Sequence, residues 1–85
     1  MPEGERIGEV THFFNKINVA VIQLEKPLQK GDHLHFLGAH TDFPQVIESI
    51  QVEHENVDEV AAGDEAAVKV EKRVRRGDSV FRLLE

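Results

Sequence analysis

Apolar residues recur at every second position in several short runs of this chain, and polar, turn-forming residues separate the runs. Ile7-Gly8-Glu9-Val10-Thr11-His12-Phe13 opens the series. Val19-Ala20-Val21-Ile22-Gln23-Leu24 follows and is rich in β-branched side chains. Period-two alternation in runs this short predicts half-buried strands. Asn15-Lys16-Ile17-Asn18 supplies the turn between them, so the pair reads as a hairpin. In His33-Leu34-His35-Phe36-Leu37 the alternation puts Leu34 and Phe36 on the inner face and leaves both histidines facing water. A longer strand is expected from Phe43 and Val46 to Val52, with Val46, Ile50 and Val52 on one face and Ile47 breaking the register. Ala66-Ala67-Val68-Lys69-Val70 and Ser79-Val80-Phe81-Arg82-Leu83-Leu84 complete the set.

Three Gly-Asp pairs stand beside these runs: Gly31-Asp32, Gly63-Asp64 and Gly77-Asp78. Glycine accepts positive φ and aspartate bonds nearby amides, so each pair predicts a tight turn. Pro27 lacks an amide donor and places a loop or edge after the second strand. Gly38 to Pro44 reads as a loop. Asn56 to Ala62, capped by Asn56 and ended by Gly63, reads as one short helical turn. The expected fold is all-β: a small, closed, six-stranded β-barrel, which leaves no exposed sheet edge. Residues 1–6 are expected to form a flexible tail and residues 7–85 a single barrel domain.

Composition narrows the function classes. The chain has 85 residues, 40% of them hydrophobic, with no cysteine, tryptophan or tyrosine. Disulfides, thiolate metal sites and cysteine nucleophiles are thereby excluded. No run approaches the roughly 20 apolar residues of a membrane helix. The start, Met1-Pro2-Glu3-Gly4-Glu5-Arg6, lacks the basic and apolar regions of a secretory signal. A soluble, cytoplasmic chain is expected, without membrane contact. Net charge is -6, which disfavours nonspecific attraction to nucleic acid, so DNA is not an expected partner. The charge is uneven, however. Glu48 to Glu65 is mostly acidic, whereas Lys69, Lys72, Arg73, Arg75 and Arg76, with Arg82 beyond, are basic.

The order of these signals resembles the second, β-barrel domain of translational GTPases such as elongation factor Tu. The resemblance lies in Ile7-Gly8-Glu9-Val10, in Leu24-Glu25-Lys26-Pro27-Leu28-Gln29-Lys30-Gly31-Asp32, in Ser49-Ile50-Gln51-Val52 followed by Val57 to Ala62 and Gly63-Asp64-Glu65-Ala66-Ala67-Val68, and in Val74-Arg75-Arg76-Gly77-Asp78-Ser79-Val80. It spans roughly residues 7–84. It implies a Greek-key-like barrel of the translation-protein type and a translation or RNA-related setting. Similar barrels also occur as appendages of collagenase-like peptidases that modify RNA. No Gly-x-x-x-x-Gly-Lys-Ser/Thr loop is present, so no GTPase engine is implied.

Candidate chemistry is sparse. Lys69, Lys72, Arg73, Arg75, Arg76 and Arg82 are the candidate partner-binding set, suited to RNA phosphates; the alternative is a solvated surface. Phe13 and Phe14 are adjacent, so one strand face cannot bury both, and they are candidates for protein contact. His33 and His35, with His12, His40 or His54, could form a metal site, but the alternation favours solvated histidines. Glu53 and Glu55 are expected on an exposed strand face rather than in acid–base chemistry. Ser79 has no marked base nearby, and Arg76-Gly77-Asp78 is simply a turn.

The expected function is a non-catalytic binding module, not an enzyme and without cofactor or metal. It would dock on RNA, the ribosome or a translation-related protein. The alternatives are a protein-only adaptor for an RNA-modifying enzyme, and a histidine-based metal protein or small enzyme.

Overall fold

Alternation along the chain becomes alternation in space. In the computed structural model, which describes residues 4–83, Ala20, Ile22 and Leu24 of strand β2 (Val19–Leu24) are buried and their neighbours are half-exposed. In β4 (His33–Gly38), Leu34 and Phe36 are fully buried, while His33 is exposed and His35 half-exposed. The remaining strands are β1 (Gly4–Phe14), β3 (Leu28–Gln29), β5 (Thr41–Val46), β6 (Ile50–Val52), β7 (Glu55–Val57), β8 (Glu59–Val60), β9 (Glu65–Lys69) and β10 (Ser79–Leu83). They form an eight-stranded sheet in the order β5-β4-β10-β1-β2-β9-β6-β7, and β3 pairs with β8 separately. All of the strand pairings are antiparallel.

The domain is all-β, with no helix among the described residues. The sheet is open: β5 and β7 end the order and do not pair with each other. The expected helical turn at residues 56–62 is instead parts of β7 and β8. Seven residues gain too few helical bonds to offset nucleation, whereas here Ile50 pairs with Val57 and Leu28 with Val60. The expected loop from Gly38 to Pro44 is mostly β5. Pro44 is tolerated because β5 is an edge strand. The long strand expected up to Val52 is divided after Val46. Ile47 leaves the ladder, donates its amide to Asp32 O (3.0 Å) and enters the core, while Val46 turns to solvent. Of the expected tail, residues 1–3 lie outside the described residues, and Gly4 to Arg6 pair with Leu83 to Phe81. Leu84, expected in the last strand, also lies outside them.

The three Gly-Asp turns share one geometry. In each, the Asp amide donates to the carbonyl three residues earlier: Asp32 to Gln29 (3.1 Å), Asp64 to Ala61 (3.3 Å) and Asp78 to Arg75 (3.0 Å). The glycines have φ of 94°, 93° and 95°. Positive φ at the third turn position is the type II pattern, which explains glycine there. In two of the turns the carboxylate also accepts the first residue's amide, Gln29 N to Asp32 Oδ2 at 2.9 Å and Arg75 N to Asp78 Oδ2 at 2.8 Å.

The core lies under β1, β2, β4, β9 and β10, and the stacked rings of Phe36 and Phe43, 5.3 Å apart, fill one side of it. Gly8 is buried at a register shift in β1. A Cβ there would meet Gln23 O at 2.4 Å, so the glycine permits the close approach. Among the described residues, no helix is long and apolar enough to cross a membrane.

Candidate functional site

The hairpin of β1 and β2 carries the side chains most open to a partner. Its tip closes with Ile17 N donating to Phe14 O (3.3 Å), and Asn18 takes a positive φ of 55°, which asparagine tolerates well. Phe13 turns inward and packs against the core. Phe14 points the other way, is 45% exposed, and its ring lies 4.3 Å from that of His12. Ile17 is 59% exposed, the most exposed large apolar side chain among the described residues.

Phe14 and Ile17 line one end of a groove of about 770 Å³, continued by Val19, Val21, Val52 and Ala67. Val19, Val21 and Ala67 are outward positions of β2 and β9, so the groove floor is the outer face of the sheet there, while Val52 at the end of β6 also packs against the core. Glu53, His54, Asp64 and Glu65 also line it and make it acidic. Val52 pairs with Glu55, so Glu53 and His54 form a two-residue hairpin loop. Both have positive φ, 52° and 68°, as a type I′ turn requires. Neither is glycine, so this loop holds local strain beside the groove. Glu53 therefore lies in a turn, not on the strand face expected for it.

The basic set is divided four ways. Lys69, at the end of β9, lines a polar groove with Gln45, Glu48 and Glu71. Lys72 lies over the Phe43 ring, its Nζ 5.9 Å from the centroid, a cation–π distance. Arg73, Arg75 and Arg76 surround a depression beside His12, Phe13 and Asn15. Arg82 is held elsewhere. Its guanidinium donates to Glu5 Oε1 (2.7 Å), Asp32 Oδ2 (3.1 Å) and Pro27 O (2.7 Å). The Arg82 hydrogen bond holds the Glu5 carboxyl below its ordinary pKa and raises that of Arg82 in turn.

The histidines do not converge. His35 Nε2 bonds Asp42 Oδ1, and His12 sits on Phe14. Among the described residues no group of three His, Asp or Glu side chains is arranged to hold a metal ion. Sequence reasoning missed the groove. A single isoleucine inside a polar turn, Asn15-Lys16-Ile17-Asn18, was the available signal.

No protein-family model matches the chain. An uncharacterized protease of Methanocaldococcus jannaschii is 36% identical over 80 residues, which are 93% of this chain and 20% of that protein. The chain thus spans about a fifth of the length of the curated relative it matches. The fold is similar to the crystallised C-terminal domain of a candidate U32 peptidase from Geobacillus thermoleovorans, with a TM-score of 0.86 and 23% identity over 92% of this chain and 91% of that one. Its selenomethionine variant gives the same score at 24% identity, over 91% and 98% of the two chains.

These findings overturn the likeness to a translation factor. The sequence match goes to a protease and the fold match to a peptidase domain. The expected role as a translation-factor module loses its basis, whereas the likeness to barrels appended to peptidases is the one these matches favour. The expectation of a non-enzymatic protein is overturned with them, since the relative bears the name of an enzyme. The physical reason is that the Gly-Asp passages are type II turns. They report how the chain reverses, and unrelated functions share such reversals.

Proposed function

We propose that this chain works in a peptidase, as the all-β domain of an enzyme of the U32 type. The observation that carries the reading is the 36% identity extending over 93% of the chain to a protein named a protease. The fold likeness to a peptidase C-terminal domain supports it. In this reading the groove at Phe14 and Ile17 packs against the remainder of the peptidase. The relative is about five times as long as this chain, so a domain of this kind has a large neighbour to meet. Two exposed large apolar side chains on one groove suit such a contact.

The sheet is proposed to curl toward closure within that enzyme. Gln45 on the β5 edge reaches the far side, donating to Lys69 O (2.7 Å) and accepting from Glu71 N (2.8 Å). A side-chain amide thereby joins the β5 edge to the end of β9, two strands in from the opposite edge. The cysteine-free composition suits a reducing, cytoplasmic compartment.

The test measures cleavage of a fluorescent casein by the remaining four-fifths of the M. jannaschii protease, with and without this chain. Cleavage that rises on adding the chain, together with co-migration of the two on gel filtration, is the expected result. Equal cleavage and no co-migration would overturn the proposal. Phe14→Ser with Ile17→Ser should abolish the rise if the groove is the contact.

A further inference from the structure

Arg73, Arg75 and Arg76 gather around a depression of about 280 Å³, completed by His12, Phe13, Asn15 and Val74. All three arginines are exposed, and none forms an ion pair or side-chain hydrogen bond among the described residues. Carboxylates are not scarce in this chain, which has 16 acidic and 10 basic residues. Arg6, Lys26 and Arg82 all find acidic partners. Three neighbouring guanidiniums without one repel each other.

The backbone beneath them is held firmly. Gly77 N donates to Val10 O (2.7 Å), and Val10 N donates to Asp78 O (2.8 Å). Val74 is 1% exposed and anchors the segment in the core. The buried Asp78 carboxylate accepts the Arg75 amide at 2.8 Å. The three cations therefore project from a fixed frame, which lowers the ordering cost of binding. Phe13 adds an apolar wall.

We propose that this basin binds an acidic segment of a polypeptide, its carboxylates taken by the arginine forks. Planar guanidinium matches carboxylate in paired hydrogen bonds. The overall charge of -6 repels a long polyphosphate more strongly than a short peptide with a few carboxylates. The inference rests on the peptidase reading, which makes the ligand a polypeptide, and it names the chemistry of that polypeptide.

The experiment is fluorescence anisotropy of a labelled hexaglutamate peptide titrated with the full chain at low salt. Saturable binding that weakens with added salt is expected. Arg73→Ala, Arg75→Ala and Arg76→Ala should each weaken it about three- to tenfold, and the triple variant should abolish it. Lys30→Ala, which lines a different groove, is the charge control and should leave binding unchanged. Melting curves confirm folding of the variants. Wild-type binding by the triple variant, no binding by the wild type, or tighter binding of a hexaribonucleotide through the same arginines would overturn the proposal. Because the titration involves no proteolysis, its failure with chain-dependent cleavage intact removes the basin alone. Peptide binding without cleavage removes only the peptidase reading.

Discussion

Arginine serves two opposite purposes on this fold. Arg82 sits on β10 beside β1, where Glu5 on the neighbouring strand, Asp32 in the first Gly-Asp turn and the Pro27 carbonyl all accept from it. Its side chain is 21% exposed. Arg73, Arg75 and Arg76 project from a loop with no acceptor in reach of their side chains among the described residues. The first arginine joins three parts of the chain that are far apart in sequence. The other three contribute little inside the molecule and are open to something outside it. Position relative to the strands, and not residue type, separates the structural cation from the available ones.

The largest blow to this arrangement comes from beneath the basin. A Cβ on Gly38 would lie 1.9 Å from Asp78 Oδ1, and Asp78 is 5% exposed, so the carboxylate could make room only by leaving its bond from the Arg75 amide. Gly38→Ala is expected to cost about 2–3 kcal/mol in chemical denaturation, as overpacking does. It should also loosen the turn that presents Arg75 and Arg76, so hexaglutamate binding should weaken in the protein that remains folded.

Arg82→Ala should lower the melting temperature by roughly 5 °C, because two partly screened ion pairs and the bond to Pro27 O are lost together. The same pair predicts an acid effect. The Glu5 pKa is lowered in the folded state, so its contribution is present above the unfolded carboxylate range, near about 4.3, and is lost as pH falls through the lower folded value. The melting temperature should fall between pH 5 and pH 3 in the wild type, and more shallowly in Arg82→Ala. Parallel curves would show that the contact is not made in solution.

The smallest effect is the most diagnostic. Arg73→Ala, Arg75→Ala and Arg76→Ala should each change stability by less than about 0.5 kcal/mol, as surface substitutions do. A loss comparable to that of Arg82→Ala would erase the contrast between the two sets. Phe14→Ser should be similarly mild in stability, since the ring is nearly half exposed, while weakening on gel filtration the proposed association with the rest of the peptidase.

Much of the fold was legible because its causes are local. The inward set Leu34 and Phe36 and the outward set His33 and His35 follow from the pleat of one strand. The Gly-Asp turns follow from φ at single glycines. Pro44 in a strand was not legible, because edge position depends on which strands lie beside β4. The helical reading of residues 56–62 failed for the same reason: propensity spoke for a helix, and pairing with β6 and β3 overrode it. For the site, Phe14 was visible as one of an unburiable pair, but the groove it opens needs Val52 and Ala67 brought alongside. The basic set was visible as a run of like charge. Its division into four separate roles was not.

By itself, then, the order of residues determined an all-β chain, its tight reversals and most of its inward-facing side chains, since these depend on steric and hydrophobic preferences within a few residues. Tertiary structure decided where the sheet ends, which arginine is bound into the fold and which three are left over. Those outcomes depend on distances between residues as far apart as Glu5 and Arg82, which no short window of sequence contains.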